Sequence, residues 1–419
     1  MERGACMMSI RGGRNSMMLV AVALAAALLV AVPGGTAPAP ISFGVLAAMT
    51  GVHADVGAAI LEGARVAQRA INDAGGILGR PMEIHLADTQ SDAADAVPAE
   101  NKLIGANRIV VQIGPTSTEL FAVRPIIDNN RVPMIFLGGT TVFDTNTDNW
   151  IWRPNPSDSQ LSVAMAVYAI KKGFRNAALV FYTDITNETL KAPIVKTFQK
   201  LGGKIVADVK LTAGQTSYRS EVERVVSAHP DVIFTQTDPG TAAVMYANFK
   251  ELNNLAVPMI GTDLTAGSNY IKSVTPAVAH QVLVSLVGST PPGGAADAFN
   301  ALYAKVYTHQ PLESANYAYD GTLVMALAIQ KAGSLDPEKI VQSIPMVTNP
   351  PGVVVYNYQD GLAALTAGKK IKLYGASGPL VFDKFHNAYG PFDVVQAGLD
   401  GKLVTLMTIS ADEIQKSAQ

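Results

Sequence analysis

Ile71 to Arg80, INDAGGILGR, is the stretch that decides how this chain folds. Upstream, Gly57 to Ala70 (GAAILEGARVAQRA) and the first residue of the stretch set Ile60, Ala64, Ala67 and Ile71 at helical spacing on one apolar face. Gly75-Gly76 should end that helix, because glycine accepts the left-handed backbone of a helix C-terminus. Leu78-Gly79-Arg80-Pro81 then turns the chain, and Met82 to Asp88 (MEIHLAD) alternates like a strand. With the apolar strand Ile41 to Ala48 before it, the pattern is strand–helix–strand, the opening unit of a parallel sheet.

A chain of 419 residues exceeds one ordinary core and points to two domains of similar size. Its 48% hydrophobic and 16% charged content supplies ample apolar surface and excludes a disordered protein. Arg3, Arg11 and Arg14 precede an apolar run, Met17 to Val32, followed by PGGTAPAP. A basic segment, an apolar segment and small residues in that order read as a secretory signal over residues 1–38. The run of 16 apolar residues falls short of the roughly 20 needed to span a bilayer. The expected location is the periplasm. Cys6, the only cysteine, lies before the apolar run, so the exported protein would lack a thiol nucleophile, a disulfide and a thiolate metal site. Removing the first 40 residues leaves 29 basic and 33 acidic side chains, and no basic cluster points to nucleic acid.

Strand and helix patterns alternate onward. Helices are expected over Ala93–Ala106 and Thr118–Asn129, with strands over Arg108–Gly114 and Val132–Leu137. Pro154-Asn155-Pro156-Ser157 breaks the pattern, with Ser157 or Asp158 capping the next helix. Strands are then expected at Ala177–Tyr182, Lys204–Leu211, Asp231–Gln236, Val257–Ile260 and Gln281–Val287. The intervening helices are Thr189–Leu201, Tyr218–Ala228 and Gly240–Leu252. After Gly288 to Gly294 come helices at Ala295–Thr308, Ala318–Ala332 and Pro337–Ile344, then strands within Tyr374–Asp383 and Phe392–Ile409. So regular an alternation implies a doubly wound sheet with ligands at the carboxyl ends of its strands.

The motifs MTG (Met49–Gly51), EGARVAQRAINDAGGILGRP, DTQSD and AENKLI resemble those of periplasmic solute-binding proteins of branched-chain amino-acid ABC transporters. IGPTST (Ile113–Thr118), IWRPNPSDSQ (Ile151–Gln160), YAYDG (Tyr317–Gly321) and YGASGPLVFD (Tyr374–Asp383) extend the resemblance, in order, over nearly all the chain after about residue 40. It implies a type I periplasmic binding protein fold: α/β, two doubly wound parallel-sheet lobes joined by three hinge crossings. The lobes would be 39–155 plus 289–390 and 156–288 plus 391–419. It implies a monomer that binds an amino acid or similar small carboxylate between the lobes and hands it to a membrane permease, without a cofactor or metal.

Gly114 to Thr118 lies between a strand and a helix. Amides at a helix start together with hydroxyls suit a carboxylate, although Ser and Thr there also serve as plain caps. The family grips its ligand's carboxylate from this loop, which singles out Ser117 and Thr118. Gly138-Gly139-Thr140-Thr141 is the neighbouring loop, where Thr140 and Thr141 offer hydroxyls. Asp263, after VPMIGT, matches the family's acid for the ligand's ammonium. Asp238, in QTDPGT, belongs to the same rim or to a routine turn. Tyr182, Asp184 and Thr186 lie in the loop after a strand and could line the cleft. Leucine-type members wall the apolar pocket with tyrosines where this chain has Val56 and Thr186, and His53 and Asp55 sit nearby, which argues against leucine as the ligand. Asp238 and Asp263 favour a ligand with a cationic or donor-rich end.

Among enzyme signatures there is no G-x-S-x-G elbow, H-E-x-x-H, Walker loop or G-x-G-x-x-G after the first strand. The six histidines occur as singles. The rival readings are a ligand-binding sensor for a signalling system and, further off, an α/β enzyme acting on a small carboxylate.

Overall fold

In a computed structural model the described residues are 1, 4, 38–183, 185–289, 293–312 and 314–418, with side chains 185–188 left out. Met1–Ala39 and Pro40–Gln419 are separate compact units, and everything below concerns the second. The expected signal segment falls almost wholly outside the described residues.

The opening unit forms as its pattern dictates. β1 (Ile41–Ala47), α1 (Ala54–Asp73) and β2 (Met82–Asp88) pair their strands in parallel, from Ile41 opposite Met82 to Ala47 opposite Asp88. Gly75 and Gly76 end the helix at φ 98° and 80°. A Cβ on Gly76 would sit 2.0 Å from the Arg80 carbonyl oxygen, so the turn admits only glycine. The buried Tyr358 hydroxyl donates to the Gly76 carbonyl at 2.9 Å and pins this turn. Tyr358→Phe is expected to cost about 1 kcal/mol in a urea titration, the net worth of one buried hydrogen bond.

The sheet grows through α2 (Ala93–Gly105), β3 (Val111–Ile113), α3 (Ser117–Asn130), β4 (Met134–Ile135) and β5 (Ile151–Trp152), in the order β2-β1-β3-β4-β5. Two strands are shorter than their apolar runs. Arg108 takes a left-handed φ of 50° before β3. Beyond β4 the ladder loosens, Phe136 N–H bonding to Trp152 O at 2.9 Å and Leu137 N–H to Pro115 O at 3.1 Å. Two-residue β5 carries no readable period and was not anticipated from the sequence.

A second sheet follows α4 (Asp158–Lys171), which Ser157 caps by accepting from the Gln160 N–H at 3.2 Å. Its elements are β6 (Asn176–Tyr182), α5 (Ile185–Lys200), β7 (Lys204–Leu211), α6 (Arg219–Ser227), β8 (Val232–Gln236), α7 (Pro239–Glu251), β9 (Met259–Gly261), α8 (Ser268–Val274), α9 (Pro276–Val282) and β10 (Leu283–Gly288). The strand expected from Gln281 starts at Leu283, because Gln281 and Val282 complete the helix that Pro276 opens. Likewise the strand expected over Val257–Ile260 begins at Met259, after Pro258.

The chain then returns to the first core with α10 (Gly294–Val306), α11 (Ala315–Ala332), α12 (Pro337–Thr348), β11 (Val353–Val355), α13 (Tyr358–Thr366), β12 (Ile371–Gly375) and β13 (Gly378–Pro379), the three strands forming a small sheet of their own in the order β11-β12-β13. Phe299, Leu323, Ile340 and Leu373 share a core with Phe43 and Val111. Where strand is expected within Tyr374–Asp383, the chain forms a tight β12–β13 hairpin that starts earlier, at Ile371, and ends at Pro379. Buried Asp320 fixes it by accepting from the Ala376 and Ser377 amides and the Ser377 hydroxyl. Finally β14 (Phe392–Ala397), β15 (Leu403–Ile409) and α14 (Ala411–Ala418) join the second core, where Phe392 and Ile409 meet Phe234. The second sheet runs β15-β14-β10-β9-β8-β6-β7, parallel from β10 to β7 and antiparallel at β14 and β15. Both sheets are doubly wound, so their strands' carboxyl ends gather the loops that can hold a ligand.

Candidate functional site

β3 ends at Ile113, and Gly114 turns out of it at φ 81° against β1. A Cβ there would lie 2.2 Å from the Leu46 carbonyl oxygen. The helix that follows is not closed by its preceding threonine. Thr116 donates instead to Glu119 Oε2 at 2.7 Å, and makes no side-chain cap to the amides of α3. Those amides, with the half-buried Ser117 and exposed Thr118 hydroxyls, are available to an anion. The reading of Ser117 and Thr118 as simple caps is therefore the less favoured one.

The loops after β3 and β4 are tied together. Thr140 N–H donates to Ser117 Oγ at 3.3 Å, and a Cβ on Gly138 would come within 2.4 Å of the same oxygen. Thr140 is 5% exposed and Thr141 is half-buried. Behind them lies Arg153, 1% exposed, just past β5. Its guanidinium donates to the carbonyls of Gly139 at 3.3 Å and Thr140 at 2.9 Å, to Asp144 and to Asn387 Oδ1 at 2.9 Å. Asn387 in turn donates to the Phe143 carbonyl at 3.0 Å, and the Ser159 hydroxyl donates to Asp144. With its carbonyls held from behind, the Gly139–Thr140 loop has a fixed conformation.

The second sheet contributes Asp263, at the carboxyl end of β9 in a short 3₁₀ turn, Asp263–Ala266. Asp263 is exposed at the surface, though the surrounding protein displaces much of its water. Desolvation raises its pKa against the opposing bonds from Leu264 and its own backbone amides and from Thr262. Its charge acts on Asp158, the first residue of α4, whose backbone N–H donates to the Gly139 carbonyl at 2.8 Å. Burial first, then the Asp263 charge, pushes the Asp158 carboxyl up to about 7, with Arg153 opposing. Hydrogen bonds thus run from Thr140 to Ser117 and from Asp158 to Gly139.

The other expected residues fall elsewhere on the rim. Asp238 caps α7, one oxygen accepting from the Gly240 and Thr241 amides at 2.9 and 3.0 Å and the other from the Thr241 hydroxyl. Although desolvation pushes the other way, these bonds together hold its pKa below the usual carboxylate range. No contact among the described residues joins Asp238 to Asp263. Tyr182 ends β6, half-buried against the second sheet's apolar core. Thr186 and Asp184 lie outside the described side chains. Asp158 and Arg153 were missed from the sequence, since an Asp after a capping Ser is an ordinary first-turn acid. Nothing local shows that Asp158 packs against Gly139.

A separate cavity of about 540 Å³ is lined by Trp150, Trp152, Glu338, Gln342, Pro345 and His386. The Trp152 and His386 rings stack there at 3.9 Å. It includes none of the residues expected from the sequence. Among the described residues no group of three or more His, Cys, Asp or Glu could hold a metal ion, and no helix is long and apolar enough to cross a membrane.

The family model of periplasmic binding proteins matches residues 40–402. The Leu/Ile/Val-binding protein BraC3 of Rhizobium johnstonii is 26% identical over 360 residues, covering 83% of this chain and 91% of BraC3. Among solved structures, the branched-chain amino acid transporter substrate binding protein LivJ of Streptococcus pneumoniae, in complex with isoleucine, aligns with a TM-score of 0.70 at 21% identity, over 88% of this chain and 99% of that one. An R. palustris solute binding protein in complex with benzoate aligns with a TM-score of 0.69 at 17% identity, over 88% of this chain and 96% of that one.

Proposed function

The chain belongs to the periplasmic binding protein family, and from that premise we propose that it is the extracytoplasmic solute-binding component of an ABC importer. In this reading residues 1–38 direct export. The two sheets with their helices, 39–155 plus 289–390 and 156–288 plus 391–419, act as lobes that close on a small carboxylate. The ligand's carboxylate meets the α3 amides, the Ser117 and Thr118 hydroxyls and the Thr140–Thr141 loop. Asp263, from the other lobe, completes the enclosure. The closed, ligand-bound form is the one the permease receives, because contacts from both lobes stabilise it over the open form.

One observation carries the reading. The Ser117–Thr140 hydrogen bond joins two loops at the carboxyl ends of adjacent parallel strands, the place where open α/β sheets bind ligands. A thermal-shift panel of amino acids, aromatic acids and amides tests it, since a ligand at 100 times its Kd adds about 2.7 kcal/mol of stability. Failure of every compound to shift the transition would contradict it. Once a ligand is found, Thr140→Ala and Ser117→Ala should each weaken binding about tenfold by calorimetry, corresponding to about 1.4 kcal/mol.

A further inference from the structure

We propose that Glu119 is a positioning residue of the cleft: it draws the Thr116 hydroxyl away from the start of α3, so that the chain does not cap the group a guest carboxylate must meet. This rests on the cleft being a small-carboxylate site, as argued above.

Thr116-Ser117-Thr118-Glu119 has the spacing of a capping box. In that motif the threonine oxygen accepts from the amide three residues on, and the glutamate reaches back to the threonine amide. Here the same two side chains bond to each other instead. The Thr116 hydroxyl donates to Glu119 Oε2 at 2.7 Å and makes no side-chain cap to α3. Glu119 is 1% exposed, and its other oxygen accepts from the hydroxyl of buried Thr89 at 3.1 Å. Thr89 directly follows β2, and its amide donates to the Ala47 carbonyl at the end of β1 at 3.1 Å. The acid that holds Thr116 is therefore itself held from the carboxyl ends of the two neighbouring strands.

A hydroxyl donating to a carboxylate makes a stronger bond than one accepting from a helix amide, so Thr116 stays turned to Glu119. Ser117 and Thr118 then present their hydroxyls beside amides with no competing cap. Charge alone would act in the opposite sense, because a negative group near the site repels a carboxylate. Removing Glu119 thus separates the two roles by the direction of the change: tighter binding for a charge, weaker binding for a positioning residue.

Calorimetry with the common α-amino acids and benzoate as probes compares wild type with four variants, each with its melting temperature recorded. The variants are Glu119→Met, which fills the volume without an acceptor, Glu119→Gln, which keeps one acceptor without charge, Thr116→Val, and Glu119→Met with Thr116→Val. For a probe that binds the wild type, Glu119→Met should bind about fivefold more weakly, the worth of one helix cap, and Glu119→Gln less so. The double variant, left with no hydroxyl to cap the helix, should recover to within about twofold of the wild type. Should Glu119→Met fail to fold, Glu119→Gln with and without Thr116→Val gives the same comparison. Amide exchange by NMR adds a readout on the wild type itself, where the Thr118 and Glu119 amides of the empty protein should exchange fast. Slow exchange there overturns the inference. It is also overturned if a probe binds Glu119→Met as tightly as the wild type or more tightly, or if adding Thr116→Val restores nothing. If no probe binds the wild type, the carboxylate reading of the cleft fails, and this inference fails with it.

Discussion

Replacing Arg153 with leucine should lower the unfolding free energy by about 3 to 5 kcal/mol, the usual cost of removing one partner from a buried ion pair. The side chain is 1% exposed and donates to two backbone carbonyls, a carboxylate and an amide oxygen. Leucine cannot replace any of these donors. Asp144 would keep only the Ser159 hydroxyl, and the Gly139 and Thr140 carbonyls would lose the partner that sets the loop. Any ligand measured on the surviving folded fraction should bind more weakly, because the lost bonds position Thr140 and Thr141. Arg153→Lys keeps the charge but not the five-donor fork, and should fall between wild type and leucine. A loss below about 1 kcal/mol for Arg153→Leu in urea unfolding would show that water or a neighbour takes over, and that the loop is not held from behind.

The second large effect is a gain. Glu100→Gln should stabilise the protein by up to about 3 kcal/mol above pH 8, and hardly at all near pH 4. Glu100 is fully buried on α2, with neither oxygen bonded and the Gln112 amide beside it offset from good geometry. Burial, only partly opposed by Gln112, pushes its carboxyl from 4.5 up to about 7. The folded state therefore holds this proton more tightly than the unfolded chain. The contribution is fully present below pH 4.5, is lost as pH rises through the window from 4.5 to about 7, and stays lost above it. Holding the proton that much more tightly corresponds to about 3 kcal/mol. Glutamine keeps the shape, carries no titrating proton, and can offer its Nε2 to the unpartnered Gln112 Oε1. Urea unfolding of both proteins from pH 4 to 9 checks this. Parallel curves would mean that Glu100 is solvated or paired in the folded state.

The parts of the fold legible in the sequence were those with a period long enough to read. INDAGGILGR marked the helix end because Gly75 and Gly76 occupy backbone that other residues avoid. β2 and β7 matched their expected limits because the expected turns at Leu78–Pro81 and Gly202–Gly203 fix where they begin. Where an apolar run is buried but only two or three residues ladder, as at β3 and β4, hydrophobicity overstated the strand. At β5 and β11, two and three residues long, it gave no warning. The hydroxyl loops were found because glycine, serine and threonine between a strand and a helix carry local chemistry. Asp158 and Arg153 were not found, because their importance arises from Gly139, Asp144 and Asn387 meeting in space. Asp238, chosen as the second acid, has its oxygens engaged in capping.

In the proposed reading a small carboxylate is held between Ser117 and Thr140 on one side and Asp263 on the other. A crystal structure with the compound that gives the largest thermal shift tests it most directly. The expected result is ligand density within hydrogen-bond distance of the Ser117 hydroxyl and the Thr140–Thr141 loop, with Asp263 on the far side of the guest. Density confined to the cavity beside Trp152 and His386, with the space between Thr140 and Asp263 holding only water, would contradict it.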